Sequence, residues 1–319
     1  LKGTLFSKSQ RSGYSKLKIG HDEIKKTIYA HSEFTSYIQE VDAIFNKWQK
    51  KNTAGLKKIA VGAKPKQLIH ELSEDILEAF SNNSLIDQYD IYQHLMMYWA
   101  EVMQDDAYLI ASDGWKAVLS QVKGKKNEYD CDLVPKQLVI NRYFASEQKA
   151  IAQLEAESEN IVRKMEELTE EHSGEEGLLE EVKNDKGKIS KANVQARIKD
   201  PETDADELKV LQEYMSYIEK ESEANRKIKE AQVELDAKVV AKYKQLTEDE
   251  IKVLVVDDKW VAALRNDVKS ELDRISQRLT QRIKELAERY TVTLPKLTSD
   301  VKYLSAKVDE HLVKMGFKW

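Results

Sequence analysis

The 319-residue sequence predicts a mainly α-helical fold with a small β-hairpin or sheet, and three observations carry that expectation. Charged residues make up 34% and hydrophobic residues 41%, with only 11 Gly and 4 Pro, a balance that favours long helices with solvated polar faces. Apolar residues recur every three or four positions along most of the chain. Two of these runs keep a heptad and are separated by a polar connector, which most simply folds back as an antiparallel coiled-coil hairpin. The expected order is a mainly helical α+β domain over 1–143, the coiled-coil hairpin over 144–246 with its tip at about 173–206, and a C-terminal amphipathic helix pair over 247–319.

In the first domain, Phe34, Tyr37, Ile38, Val41, Ile44, Phe45 and Trp48 mark one helix, and Leu68, Ile69, Leu72, Ile76, Leu77 and Phe80 mark another. Pro65 stands where the second would begin, which suits its fixed φ and missing N–H. A third helix is expected after Asp87, through Tyr92, Leu95, Met96 and Trp99. Ala107–Ala111 and Trp115–Val122, joined at Asp113-Gly114, read as a β-hairpin. Lys123 to Asp130 reads as a charged loop, and Leu138-Val139-Ile140 as a third strand.

The first heptad runs through Phe144, Ile151, Leu154, Ser158, Ile161, Met165, Leu168 and His172. The second runs through Leu208, Leu211, Met215, Ile218, Ser222, Asn225, Ile228, Leu235 and Val239. Ser158, Ser222, Asn225 and His172 are polar residues at core positions; they can fix register at a cost in stability, or mark a seam that opens for a partner. The connector holds Gly174, Gly177, Gly187 and Pro201, with a short apolar helix around Ile189–Ile198. Thr247-Glu-Asp-Glu250 forms a capping box that starts the last segment. One helix there carries Val261, Leu264, Val268, Leu272, Ile275, Leu279, Ile283, Leu286 and Tyr290. After a turn at Thr293-Leu294-Pro295, another carries Leu297, Val301, Leu304, Val308, Leu312 and Met315.

The net charge of −5 is unevenly spread. Residues 1–145 carry 20 basic and 18 acidic side chains, 146–250 carry 17 and 28, and 264–319 carry 12 and 8. An acidic middle repels phosphate, so nucleic-acid contacts are expected only from the two ends. Cys131 is the single cysteine and excludes an intramolecular disulfide, which fits a cytoplasmic location. No apolar run reaches the roughly 20 residues that span a bilayer. The opening residues, Leu1-Lys-Gly-Thr-Leu-Phe6, have no signal-peptide pattern and read as a segment that begins partway through a longer polypeptide.

The chain lacks the motifs of a catalytic centre. No Gly-x-Gly occurs, so neither a dinucleotide fingerprint nor a phosphate loop can be drawn. No two His stand at helical metal-ligand spacing, and His94 and His311 read as a semi-buried and a surface histidine. Asp105 and Asp106, with Asp113 nearby, are the most site-like acidic group; they could hold Mg²⁺ or simply solvate a helix end. Arg274, Arg278 and Arg282 form one stripe at four-residue spacing. The stripe can track a phosphate backbone or grip carboxylates of a partner, or it can be a solvated face, since Glu271, Asp273 and Glu285 lie close by.

Several strings resemble one family. Ile86-Asp-Gln-Tyr-Asp-Ile-Tyr-Gln-His-Leu-Met-Met-Tyr-Trp-Ala100, Met103-Gln-Asp-Asp106 and Asp113-Gly-Trp115 resemble the region downstream of the catalytic domain in type I restriction-modification modification (methyltransferase) subunits. Leu246-Thr-Glu-Asp-Glu-Ile-Lys-Val-Leu-Val-Val-Asp-Asp-Lys-Trp260, Gln281-Arg-Ile-Lys-Glu-Leu-Ala-Glu-Arg-Tyr290 and Met315-Gly-Phe-Lys-Trp319 are similar to the same branch, so the resemblance covers nearly the whole chain. It implies a parent enzyme that methylates adenine N6 in DNA with S-adenosylmethionine. That chemistry needs a glycine-containing cofactor loop and an Asn/Asp-Pro-Pro-aromatic motif at a flipped base. Pro65, Pro135, Pro201 and Pro295 are all isolated, and the cofactor loop is missing. The resemblance is therefore to the C-terminal portion without the catalytic domain, and this chain is expected to bind no cofactor or metal and to be inactive alone.

The resemblance also implies partners: a specificity subunit that reads DNA, a restriction (translocase and endonuclease) subunit, and DNA in the assembled complex. Leu272, Ile275, Leu279, Leu286, Leu304, Val308 and Leu312 are the expected docking face toward helical spacers of the specificity subunit, although the same stripes could bury against each other. Arg274, Arg278 and Arg282 are the expected contacts to DNA or an acidic partner. The alternative reading is a stand-alone coiled-coil scaffold or nucleic-acid-binding arm without catalysis.

Overall fold

The computed structural model describes residues 1–8, 15–121, 129–172, 174, 177–184, 187–290, 292 and 294–317. Parts of the expected charged loop (123–128), Val122, Thr293 and the last two residues of the chain lie outside the described residues. The fold is mainly helical, with two small two-stranded antiparallel sheets. In chain order the elements are α1 (Lys2–Leu5), β1 (Phe6–Lys8), β2 (Ser15–Leu17), α2 (Ile24–Ala30), α3 (Ser32–Leu56), α4 (Pro65–Phe80), α5 (Gln88–Tyr98), a π-helical turn (Trp99–Met103) and α6 (Gln104–Asp113). Then follow β3 (Ser120–Gln121), β4 (Tyr129–Asp130), α7 (Lys136–Tyr143), α8 (Ala145–Glu171), α9 (Lys191–Ile198) and α10 (Ala205–Tyr243). The chain ends with α11 (Glu248–Lys252), a longer π-helical stretch (Val253–Val261), α12 (Ala262–Arg289) and α13 (Leu294–Lys314).

Two compact units emerge, one made of Leu1–Gly114 with Val256–Trp319 and the other of Trp115–Val255. The expected boundaries at 143/144 and 246/247 differ from these, because the C-terminal segment folds with the N-terminal helices rather than apart from them. In the first unit, α12 packs on α2 and α5, and α3 and α5 pack on α4. Its core holds Ile24, Ile28, Val41, Phe45, Ile76, Phe80, Ile91 and Leu95 from the N-terminal helices and Leu264, Val268 and Leu272 from α12. Pro65 opens α4 at its first turn, and the Asp87 carboxylate caps α5 by accepting from Tyr89 N–H at 2.9 Å.

Two expected strands are helices. Ala107–Ala111 lies in α6, whose buried positions Asp106, Ala107 and Ile110 keep a helical period with Met103 at the end of the preceding π-helical turn. Gly114 ends that helix instead of turning a hairpin: its φ is +79°, and its N–H donates to Ile110 O at 2.9 Å. An Asp-Gly pair supplies positive φ to either structure, and a five-residue apolar run is too short to fix the period. Leu138-Val139-Ile140 lies in α7, where Pro135 precedes the first turn and Val139 and Ile140 face inward. The actual hairpins pair Phe6 with Leu17 and Ser120 with Asp130.

The second unit is built on α8 and α10. Their pairing is antiparallel: Glu147 meets Lys238 (3.5 Å), Glu155 meets Gln232 (3.4 Å) and Ser158 meets Asn225 (3.3 Å), so one number falls as the other rises. Ile151 and Ser158 are buried on the α8 face, with Leu154, Ile161, Met165 and Leu168 half-buried beside them. On α10 the seam passes through Leu211, Tyr214, Ala224, Ile228, Leu235 and Val239. Ser222 is exposed, and so is Asn225, which accepts from the buried Ser158 hydroxyl at the edge of the seam.

The base of the hairpin is tied by the expected capping box. Thr247 Oγ1 accepts from Glu250 N–H at 3.3 Å, and Glu250 Oε2 accepts from Thr247 N–H at 2.9 Å. Lys242 Nζ (2.7 Å) and Tyr143 OH (3.0 Å) also reach the Glu250 carboxylate. The Lys242 hydrogen bond first, and the Thr247 backbone second, lower its pKa from 4.5 to about 2. A depressed carboxylate pKa adds stability that is present above about 4.5 and lost as pH falls through about 2. Glu250→Gln is therefore expected to flatten the acid limb of a melting-temperature profile across that window; an unchanged limb would contradict the assignment.

Candidate interaction surfaces

Three arrangements of charged or apolar residues stand out, and each is local to one unit.

The first is buried in the N-terminal unit. Asp106 is 5% exposed and Trp260 fully buried. Lys259 Nζ approaches the two Asp106 oxygens at 2.9 and 2.7 Å, and the Trp260 indole N–H donates to Asp106 Oδ2 at 2.8 Å. Tyr98 OH donates to Lys259 O at 3.2 Å. Burial pushes the Asp106 carboxyl up, while Lys259 and the indole N–H act the other way. Asp105 and Asp113 are exposed, and Asp113 accepts from Ser112. The three aspartates thus form no common site, because a helix of this length turns Asp106 inward and its neighbours out. Among the described residues, no group of three His, Cys, Asp or Glu side chains is placed to hold a metal ion.

The second is the arginine stripe of α12, which the structure splits. Arg274 donates through Nε to Glu271 at 2.7 Å and through Nη2 to Asp90 at 2.6 Å. Glu271 is 2% exposed, so Arg274 neutralises a buried carboxylate and is paired with Asp90 as well. Arg282 lies 3.3 Å from Glu285. Arg278 is exposed and has no ion-pair partner among the described residues. Lys25 of α2 stands 3.9 Å from Asp273, which also accepts from the Tyr29 hydroxyl. Burial first, and that bond second, push the Tyr29 pKa up to about 12. Lys25 escaped sequence reading because nothing local ties it to a helix some 250 residues away.

The third is α13, in which no residue is buried. Leu294, Leu297, Val301, Leu304 and Val308 follow spacings of three and four and are between 46% and 72% exposed. His311 continues that register, and Leu312 at its flank is half-buried. Of the expected docking residues, Leu272 and Ile275 are spent in the core of their own unit, whereas Leu279, Leu286, Leu304, Val308 and Leu312 are exposed or half-exposed.

In the other unit, the hairpin tip is a small folded cap. Leu179, Val182 and Val194 pack with Leu211 and Tyr214, and Met165, Leu168 and Ile189 border them. Arg197 grips the buried Glu207 through Nε (2.6 Å) and Nη2 (3.0 Å), and reaches Glu181 at 2.9 Å. Arg197→Ala is expected to speed amide exchange in α9 while leaving the exchange of α8 near its base unchanged.

Comparison with family models, curated proteins and solved structures gives no match for this chain. Among the described residues, no helix is long and apolar enough to cross a membrane.

Proposed function

We propose that this chain is the C-terminal assembly and partner-binding region of a type I restriction-modification modification subunit, whose parent polypeptide methylates adenine N6 in DNA using S-adenosylmethionine. Its task is to dock to the specificity subunit and hold the catalytic domain within the DNA-bound complex that the restriction subunit joins. The observation that carries this reading is the apolar stripe of α13, an amphipathic helix whose stripe is left uncovered. Lone exposed apolar residues are ordinary, but a contiguous row in heptad register is the form in which a helix accepts another helix. The family-like strings at 86–100, 246–260 and 281–290 supply the partner's identity: a helical spacer of the specificity subunit. Cofactor binding belongs, in this reading, to residues outside this sequence.

The test is co-purification of this chain with a full-length specificity subunit, alongside a calorimetric titration of the chain with S-adenosylmethionine. Stable association without cofactor binding is expected. Failure to associate would leave a free-standing coiled-coil scaffold as the better description, and micromolar cofactor binding would contradict the division of labour.

A further inference from the structure

Lys25 of α2 and one face of α12 border an open cavity of about 630 Å³ lined only by polar and charged residues, whose aliphatic stems form much of its wall. Lys25, Arg278 and Arg282 bring three cations to it, and Gln277 and Gln281 add amides that can donate as well as accept. Thr280 and the single carboxylate Glu285 complete the lining. Glu285 is matched by Arg282 at 3.3 Å, and Asp273, outside the wall, stands 3.9 Å from Lys25. Arg278 is left with its full charge, so the cavity keeps a positive balance against both carboxylates.

We infer that this cavity binds phosphate oxygens of a duplex DNA backbone, with Arg278 as the principal contact and Lys25 and Arg282 beside it. The choice of DNA over an acidic protein follows from the walls. A protein partner draws most of its affinity from an apolar or aromatic anchor seated in a desolvated pocket, and this wall has no such residue. Backbone phosphate recognition needs only cations, amides and access. Arg278 and Arg282, one helical turn apart, are offset by about 6 Å along α12, so they can follow a strand rather than converge on one atom. Arg274 is excluded, because Asp90 and Glu271 already occupy its guanidinium. The inference rests on the proposed function only in naming duplex DNA as the source of the phosphate.

The experiment is fluorescence anisotropy of the whole chain with two duplexes of unrelated sequence over a range of salt. Each phosphate contact contributes about 0.9 to the slope of log affinity against log salt. Arg278→Ala and Lys25→Ala should each lower the slope by about that much, equally for both duplexes, and the double variant by about twice as much. Lys66→Ala, an exposed lysine of α4 outside the cavity, should leave the slope unchanged. The inference is overturned if the chain does not bind duplex DNA, if the slopes of both single variants match the parent, or if Arg278→Ala instead abolishes binding of polyglutamate. Co-purification of the same variants with the specificity subunit separates the two failures. Retained assembly with unaltered slopes removes the cavity alone, whereas lost assembly by the parent chain with altered slopes in the variants removes the docking reading alone.

Discussion

Asp106→Ala should destabilise the N-terminal unit by about 3–5 kcal/mol, the usual consequence of removing one partner from a buried ion pair. The residue is 5% exposed, and its loss takes a buried carboxylate away from both the Lys259 ammonium and the Trp260 indole N–H. Urea unfolding followed by tryptophan fluorescence reads this directly, since Trp260 itself reports on the site. The charge pair is less valuable than that figure implies, because desolvating two ions offsets most of their attraction. Replacing both partners with apolar residues of similar size, as in Asp106→Leu with Lys259→Met, should therefore recover much of the loss. An Asp106→Ala variant as stable as the parent would mean that the carboxylate is solvated and the clamp is not formed.

On the proposed docking to a specificity subunit, Leu304→Asp with Val308→Asp should abolish that association while leaving the melting temperature of the isolated chain within a degree or two. The two side chains are 58% and 55% exposed, so in the isolated chain they contribute little burial to lose. At a helix–helix seam each would bury a full aliphatic side chain, worth about 1.5–3 kcal/mol, and an aspartate there would add the penalty of an unpaired buried charge. Together these exceed the roughly 2.7 kcal/mol that separates a hundredfold change in affinity. Size-exclusion chromatography of the mixed subunits gives the answer. Leu272→Asp makes the contrasting control: it should unfold the unit rather than spare it, since that leucine is 4% exposed in the core.

Helix positions and the antiparallel hairpin were legible in the sequence because their signals are local and long. Heptads over 144–172 and 208–239, which lie in helices of 27 and 39 residues, a capping box at Thr247 and a proline at the first turn of α4 each fix their own segment. The misread strands share the opposite property: five apolar residues at 107–111 and three at 138–140 are too few to separate a period of two from one of 3.6. The candidate sites were legible only in part. The stripe at 274, 278 and 282 was plain from spacing, but which arginine is free depends on Asp90, which lies on another helix. The partners of Asp106 are more than 150 residues away, and no pattern within the chain announces them. The apolar stripes of α12 and α13 look alike in sequence, yet only the structure separates the one used for packing from the one left open.

The interruption of the first unit by residues 115–255 has a kinetic meaning. Contacts such as Lys57 to Asp257 and Tyr29 to Asp273 join residues 200 or more positions apart, so this core cannot close until the last third of the chain has been made. Searching for such contacts through an unfolded insert carries a loop-closure entropy that slows folding. The hairpin removes much of that penalty. Tyr243 donates its hydroxyl to Val134 O and Tyr143 donates to Glu250, so within the inserted unit the segments around 134–143 and 243–250 are held together. The order of events should follow: the coiled coil, whose contacts are more local, zips first, and an ordered insert shortens the loop that α12 must then close. Slowing the zip, as Leu211→Ala at the tip would do, should delay burial of Trp260 in a refolding experiment even though the two residues belong to different units.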